Sequence, residues 1–183
     1  NLKNMTFISG QRLLKKTKRF YNIPIHYKKG NQYLYVNDSA VDYRKDLRND
    51  TIAILGYGPQ GRAQALNLRD SNLDVILGLR KDGNSWHKAI SEGWKPNQSL
   101  FELDEASHRG NIIKYLLSDI GQVEQWKNIK DFMYNNDILY FSHGFSVFYD
   151  KYTNLVPPSN INVVMVAPKC SGNTVRKNYK NNK

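Results

Sequence analysis

Five short apolar runs, each the length of a β-strand, follow one another between Thr51 and Pro168. They are TIAILG, LDVILGL, NIIKYLL, DILYFSH and INVVMVAP. Runs this short and this rich in Ile, Val, Leu and aromatic residues suit strands buried on both faces of a parallel sheet. The segments between them have helical character: PQGRAQALNLRDS, SWHKAISEG, LFELDEASHRG and IGQVEQWKNIKDFMYNN. This alternation predicts an α/β fold, a Rossmann-like, doubly wound and mostly parallel sheet with helices on both faces.

The first run leads directly into a glycine-rich turn, GYGPQG. Gly56, Gly58 and Gly61 form a G-x-G-x-x-G pattern between a predicted strand and a predicted helix, the context that raises this motif above chance. Gly56 permits a tight turn, Gly58 lets the backbone approach a pyrophosphate, and Gly61 allows the helix to pack on the strand. The helix start would then face the phosphates. The alternative is a glycine turn that holds no ligand.

The end of the second strand indicates which dinucleotide would bind. An NAD site usually carries Asp or Glu here for the ribose 2′-hydroxyl. This chain instead has Arg80 and Lys81, and a planar guanidinium suits a 2′-phosphate. The pattern therefore favours NADP over NAD, although Asp82 could repel the phosphate unless it turns away. Ser85 adds a hydroxyl donor, and it serves equally well as the N-cap of the next helix.

Polar residues also follow the later strands. His143 could hydrogen-bond a substrate oxygen or relay a proton, and Lys169 could offset charge that develops on an oxygen. Each could instead be an ordinary surface residue, but the carboxyl ends of parallel strands line one crevice, which favours a shared site. After the run NIIKYLL, the residues that could border a cofactor are Ser118, Asp119 and Gln122. Asp119 could alternatively cap the following helix.

The formal charge of +11 is concentrated at the N-terminus. Residues 1–37 hold eight Lys or Arg and no acid, which leaves 19 basic and 16 acidic residues for the rest. We therefore divide the chain into a basic extension (1–48), a nucleotide-binding domain (49–176) and a polar tail (177–183). The extension resembles an organelle transit peptide or its remnant, which would imply a mitochondrion or plastid, and otherwise is a solvated arm of a cytoplasmic protein. Nucleic-acid binding through this arm is the least favoured interpretation.

Composition excludes several other classes. The single cysteine, Cys170, rules out an internal disulfide and a cysteine metal cluster. No apolar run approaches the roughly 18 residues of a membrane span, so we expect a soluble protein without a membrane partner. We also expect a monomer.

Five motifs together resemble one enzyme family. GYGPQGRAQALNLRDS, GLRKDGNSWHKAISEGW, LLSD, LYFSHGF and VMVAPKCSGNTVR are similar to the N-terminal NADPH-binding domain of ketol-acid reductoisomerase, also called acetohydroxyacid isomeroreductase. The resemblance runs from about Asp50 to Arg176. It implies an NADPH-dependent oxidoreductase of valine, leucine and isoleucine biosynthesis. Such an enzyme rearranges 2-acetolactate or 2-aceto-2-hydroxybutyrate by an alkyl shift and then reduces the ketone. The product from 2-acetolactate is 2,3-dihydroxyisovalerate.

The resemblance also implies roles by motif position. Arg80 and Ser85 would hold the 2′-phosphate, His143 would lie beside the nicotinamide and substrate, and Lys169 would lie near the reacting centre. The pyrophosphate would be held by Gly56, Gly58, Gln60 and Gly61, with Tyr57 in the same loop. The remaining cofactor contacts would come from Ser118, Asp119, Gln122 and Gly144.

Two departures from the family pattern limit what the chain is expected to do. Cys170 replaces the glycine of the family's PKG sequence, which puts the backbone conformation beside Lys169 in question. The family's helical domain, whose carboxylates hold two Mg²⁺ ions, has no counterpart here, and no metal ligand is assigned. We therefore expect NADPH binding without the complete reaction, with a separate helical domain as a partner. The alternative is a truncated, non-catalytic module that binds NADPH or senses redox state.

Overall fold

The structure of this protein, a computed structural model, describes residues 5–7, 22–27, 30–35 and 43–181. The strands are β1 (Met5–Phe7), β2 (Asn22–Tyr27), β3 (Gly30–Tyr35), β4 (Thr51–Leu55), β5 (Asp74–Gly78), β6 (Leu100–Phe101), β7 (Ile112–Tyr115), β8 (Ile138–Phe141) and β9 (Asn162–Met165). The α-helices are α1 (Pro59–Asp70), α2 (Asn84–Ser91), α3 (Leu103–Arg109), α4 (Asp119–Ile129), α5 (Phe145–Phe148), α6 (Asp150–Thr153) and α7 (Gly172–Lys180). Short 3₁₀ helices cover Tyr43–Leu47 and Lys130–Phe132.

Parallel pairing builds the main sheet. Among the described residues it has seven strands in the order β1-β9-β8-β7-β4-β5-β6, and β2 and β3 form a separate antiparallel hairpin. The chain runs outward from β4 through β5 to β6, then returns to β7 on the other side of β4. This reversal beside β4 is the topological switch point of a doubly wound sheet, where ligands bind in such folds. The predicted α/β, Rossmann-like architecture is confirmed.

The central strand β4 contributes side chains to two hydrophobic cores, one on each face of the sheet, because helices cover both faces. Ile54 packs in a cluster with Ala65 of α1. The next residue, Leu55, points to the opposite face and packs with Ala106 of α3 and Trp126 of α4. Burial on both faces explains why the strand sequence is apolar throughout instead of alternating.

The five predicted strands are all present, but the sequence analysis missed four others: the hairpin strands β2 and β3, and β6 and β1 of the main sheet. β6 is only two residues long, too short to produce a recognisable pattern, and it lies inside a segment predicted as helix, so α3 begins later, at Leu103. β1 lies inside the predicted extension 1–48 and pairs in parallel with β9 at the sheet edge. The remainder of that extension lies largely outside the described residues, as does the proposed transit peptide.

Helix α7 closes the described part of the chain on the surface of α1. Ser171 caps it by accepting a hydrogen bond from the Thr174 backbone N–H at 3.3 Å. The Arg176 guanidinium donates to the Asp70 carboxylate at 2.5 Å, and a side chain on Gly172 would collide with the Pro59 carbonyl. The domain boundary predicted after Arg176 falls inside this helix. Across the described residues, no helix is both long and apolar enough to cross a membrane.

Lys114 is an unusual occupant of a central strand. Its ammonium nitrogen lies 3.7 Å from the centroid of the Tyr140 ring on β8, and it has no hydrogen-bond or ion-pair partner among the described residues. The residue keeps some exposed surface, but burial of the ammonium lowers its pKa from 10.5 to about 7. Lys114 is the register partner of Ile54, and a central-strand position on this face would ordinarily hold an apolar side chain.

Replacing Lys114 with Met should stabilise the fold at neutral and mildly acidic pH, by about 1 kcal/mol, because it removes a poorly solvated charge. The folded state releases the Lys114 proton near pH 7, whereas the unfolded chain keeps it until its ordinary pKa of 10.5. The wild-type free energy of unfolding should therefore rise between these two pH values, and the rise should be smaller in the variant. Urea unfolding at several pH values measures both effects.

The matched control is Lys127→Met on the exposed surface of α4, which removes the same charge without relieving burial. It should leave the pH dependence unchanged. An equal pH dependence in Lys114→Met and wild type would contradict this account of Lys114.

Candidate functional site

A cleft of about 310 Å³ opens where β4, β5 and β7 end. The loop that follows each strand contributes to it, so the cleft lies beside the switch point of the sheet. Its lining contains six of the predicted site residues: Gly56, Tyr57, Gly58, Arg80, Ser85 and Ser118. The sequence analysis missed the other six: Leu79, Gly83, Asn84, Leu103, Leu116 and Leu117.

The glycine loop forms one wall of the cleft, and its three glycines have different surroundings. Gly56 has φ of +103°, and a Cβ there would lie 2.7 Å from the Leu116 carbonyl oxygen. A Cβ on Gly61 would collide with the Gly56 carbonyl, so this glycine lets α1 pack directly on the strand end. A Cβ on Gly58 would meet no atom within 4 Å. The backbone at Gly58 is thus open to the cleft, and no side chain caps α1 at this end.

The opposite wall is formed by Arg80 and the start of α2. The Arg80 guanidinium is exposed and has no hydrogen-bond or ion-pair partner within the described part of the chain. Gly83 is the N-cap of α2, so Ser85 is the second residue of the helix and not its cap. The helix starts early because the Trp86 backbone N–H donates to the Gly83 carbonyl at 2.9 Å. Asp82, at φ of +58°, is exposed and does not line the cleft.

The remaining wall is apolar, with leucines at positions 79, 103, 116 and 117. Leu79 and Leu116 follow β5 and β7 directly, and Leu117 comes next, so position at a strand end was the signal that could have identified these three. Among the lining residues none is acidic. The cleft therefore offers backbone amides and a cation on two sides and a hydrophobic surface on the third, which suits a ligand with phosphates and a flat ring.

Tyr57 lines the cleft and also anchors a buried polar network behind it. Its hydroxyl donates to the Glu92 carboxylate at 2.7 Å and accepts from Trp94 Nε1 at 2.9 Å. Burial, with help from Glu92, raises the pKa of Tyr57 well above its ordinary value. Burial also tends to raise the pKa of Glu92, but hydrogen bonds from Arg62 and Tyr57 outweigh it and leave that pKa lowered.

A second polar group lies further along the same edge of the sheet. His143 Nε2 lies 3.3 Å from Asp119 Oδ1, and each side chain is half exposed. Asp119 is the first residue of α4, while Ser118 is its N-cap and accepts from the Gly121 N–H at 3.2 Å. Gly144, directly after His143, precedes α5 as its N-cap. His143 and Asp119, which follow different strands, thus lie close together, and the predicted shared site of His143 and Lys169 stays a prediction.

The loop that carries Lys169 is held next to the glycine loop. The Gln60 side-chain amide donates to the Cys170 carbonyl at 2.8 Å. The Gln60 amide nitrogen is therefore already engaged in a protein contact. Neither Gln60 nor Gly61, both predicted to contact the pyrophosphate, lines the cleft. The Lys169 side chain is exposed.

Gln122 occupies a structural position. Its side chain is buried, and its amide nitrogen donates to the carbonyls of Tyr115 at 3.4 Å and Leu117 at 3.1 Å. These bonds fix the end of β7, and Gln122 does not line the cleft. Across the described residues, no group of three or more His, Cys, Asp or Glu side chains is arranged to hold a metal ion.

The fold and this cleft define a dinucleotide-binding domain of the Rossmann class. Residues 46–183 match the family model for the NADPH-binding domain of acetohydroxy acid isomeroreductase. The chain therefore belongs to that family, which confirms the resemblance seen in its motifs. The match continues through the residues assigned to a polar tail.

Individual relatives carry the name ketol-acid reductoisomerase. The chain is 50% identical over 137 residues to "Ketol-acid reductoisomerase (NAD(+))" of Desulfosudis oleivorans and 50% identical over 143 residues to "Probable ketol-acid reductoisomerase, mitochondrial" of Schizosaccharomyces pombe. These matches cover 75% and 78% of this chain but only 39% and 35% of the relatives. A solved NADH-preferring ketol-acid reductoisomerase from an uncultured archaeon matches with a TM-score of 0.70 and 36% identity, over 79% of this chain and 43% of that one.

Two glycine substitutions test whether Gly61 and Gly58 differ in the space available for a side chain. Gly61→Ala should lower the free energy of unfolding by at least about 2 kcal/mol, because the added methyl group meets backbone that cannot move freely. Gly58→Ala should change it by less than about 0.5 kcal/mol, because the methyl group enters open space. Chemical denaturation of the two variants and wild type measures both differences. Equal stability of the two variants would contradict the close contact between Gly61 and Gly56.

Proposed function

We propose that this chain binds NADPH as the nucleotide-binding part of a ketol-acid reductoisomerase. In the full-length protein the substrates would be 2-acetolactate and 2-aceto-2-hydroxybutyrate, and the pathway would be branched-chain amino-acid biosynthesis. The observation that carries the proposal is the cleft itself, which is lined by an open glycine loop and by the Arg80 guanidinium, a group with no ion-pair partner among the described residues. The family match supports the same nucleotide.

Each part of NADPH has a suitable surface in this cleft. The backbone at Gly58 would hold the pyrophosphate, because no Cβ there blocks a close approach. The 2′-phosphate would lie against Arg80 and the start of α2, where Asn84 and Ser85 offer polar side chains. The adenine would rest on the leucine wall.

Arg80 is the basis for proposing NADPH over NADH. A guanidinium that has no partner in residues 43–181 is available for a bidentate contact with a phosphate, and such charge-assisted hydrogen bonds are strong. The nearest acid in sequence, Asp82, lies off the cleft lining, so it does not border the proposed phosphate contact. Because names that mention NAD and NADH occur among the similar proteins, the preference of this chain has to be measured directly.

The residues proposed for the reaction lie along the same edge of the sheet. The bound nucleotide would supply a hydride to the substrate ketone. Asp119 would orient the His143 ring by accepting a hydrogen bond from Nε2–H, which leaves Nδ1 to accept a hydrogen bond from a substrate hydroxyl. Lys169 would offset negative charge on the substrate.

The metal chemistry of the reaction would need residues from elsewhere. The described residues contain no cluster that could hold Mg²⁺, so we propose that carboxylates of a separate helical domain provide the metal site. Without that domain we expect the chain to be monomeric. The fungal relative's name includes mitochondrial, and the basic arm supports a mitochondrial location here as well.

Arg80→Ala should remove most of the preference for NADPH over NADH. Loss of a charge-assisted contact with the 2′-phosphate should weaken NADPH binding by about 10-fold or more and leave NADH binding within about twofold. Calorimetric titration of wild type and variant with both nucleotides measures the two ratios. Equal affinities for NADPH and NADH in wild type would reject the Arg80 assignment.

Two controls accompany this titration. Lys81→Ala removes the adjacent cation, which does not line the cleft, and should retain most of the preference. Gly58→Ala narrows the proposed pyrophosphate site and should lower the affinities for NADPH and NADH by a similar factor.

The chain alone should not catalyse the complete reaction. With Mg²⁺, 2-acetolactate and NADPH present, we expect no steady oxidation of NADPH, because the described residues lack a metal site to polarise the substrate. Absorbance at the nicotinamide band measures the rate. Steady turnover by the purified chain would overturn the proposal that a second domain is required.

A further inference from the structure

The cleft depends on the distance between two elements that are far apart in sequence. One is the glycine loop between β4 and α1, and the other is the first turn of α2 with Arg80 before it. The proposed pyrophosphate contact belongs to the first and the proposed 2′-phosphate contact to the second. Whatever fixes α2 against the glycine loop therefore controls whether one nucleotide can reach both.

Glu92, directly after α2, makes this connection. Its carboxylate accepts from Arg62 of α1, with Nε at 2.8 Å and Nη2 at 2.5 Å from Oε1, and from the Tyr57 hydroxyl at 2.7 Å. The side-chain exposures of Arg62 and Glu92 are only 29% and 22%. These are charge-assisted, partly desolvated hydrogen bonds, which hold geometry better than an exposed ion pair does.

Two further contacts prevent the end of α2 from rotating about this point. Arg69, near the far end of α1, donates to the Glu92 backbone carbonyl at 3.1 Å. The Arg69 guanidinium also lies 4.5 Å from the Trp94 ring centroid, and the Trp94 indole donates to Tyr57. The end of α2 is therefore attached to both ends of α1 and to the glycine loop.

The glycine loop does not depend on Glu92 in the same way. The Gly56 backbone N–H donates to the Gly78 carbonyl at 3.1 Å, and Gly61 packs on Gly56. These backbone contacts hold the loop against the sheet. Loosening Glu92 should thus displace α2 and Arg80 while the proposed pyrophosphate site persists.

We propose that Glu92 is a positioning residue for nucleotide selectivity, which holds the 2′-phosphate side of the cleft at the right distance from the glycine loop. This inference rests on the proposed NADPH function. It predicts that replacing Glu92, which does not line the cleft, changes the affinities for NADPH and NADH unequally.

The test is Glu92→Gln, which keeps the shape of the side chain but removes its charge. The ratio of NADH to NADPH dissociation constants should fall about fivefold, with NADH affinity within about twofold of wild type. Tyr57→Phe removes one donor and keeps the Arg62 pair, so it should change the ratio in the same direction by less. This second variant also tests the inference if Glu92→Gln does not fold.

Asp70→Asn is the matched control, because the Asp70–Arg176 pair has the same 2.5 Å distance and also involves α1. It ties α1 to α7, so the nucleotide ratio should not change. A double variant, Arg80→Ala with Glu92→Gln, should have the same ratio of NADH to NADPH dissociation constants as Arg80→Ala alone. Once the Arg80 guanidinium is absent, the position of this side of the cleft no longer affects the 2′-phosphate contact.

The outcomes separate this inference from the proposed function. If Arg80→Ala loses the NADPH preference but Glu92→Gln and Tyr57→Phe keep it, the inference is wrong and the proposed function stands. If both affinities fall equally in Glu92→Gln, the residue acts on general stability, and the inference is again wrong. A wild-type protein without NADPH preference overturns the Arg80 assignment and this inference together.

Discussion

The close contact between Gly61 and Gly56 determines the shape of the site. Because neither residue has a side chain, α1 begins directly at the end of β4, and its first turn packs on the strand end. The same contact leaves the backbone at Gly58 open to solvent. A bulkier residue at position 61 would push the helix away and separate the loop from the sheet that holds it.

The lining of the cleft is positively charged, although the domain around it carries nearly balanced charge. Two helix starts and Arg80 face it, and no acidic residue of its lining opposes them. Two acids close to the lining residues in sequence or by hydrogen bond do not line the cleft: Glu92 is held by Arg62 and Tyr57, and Asp82 is exposed outside the lining. The proposed binding of NADPH therefore depends on the local placement of these groups, since the overall charge of +11 resides mainly in the N-terminal extension.

The proposed nucleotide site is more complete than the proposed reaction site. The first is formed within one set of strand ends and has three distinct walls. Along the second, His143 has Asp119 as its partner and Lys169 is exposed, but the described residues provide no metal cluster. This division agrees with a family match to a nucleotide-binding domain and with relatives of which the chain spans 39% and 35%.

The sequence by itself determined the alternation of strands and helices, the glycine turn and the family, because apolar periodicity and glycine spacing are local properties. It also predicted that Arg80 lies at the ligand crevice, because the place of Arg80 after the second strand is a local property too. Tertiary structure alone decided what depended on distant contacts: the two-residue strand β6, which exists only through its pairing with β5, and the leucine wall. Gln122 shows the difference, since its side chain bonds strand-end carbonyls behind the cleft, a position that spacing along the chain does not specify. The link from Tyr57 to Glu92 spans 35 residues and forms only because folding brings α2 against α1.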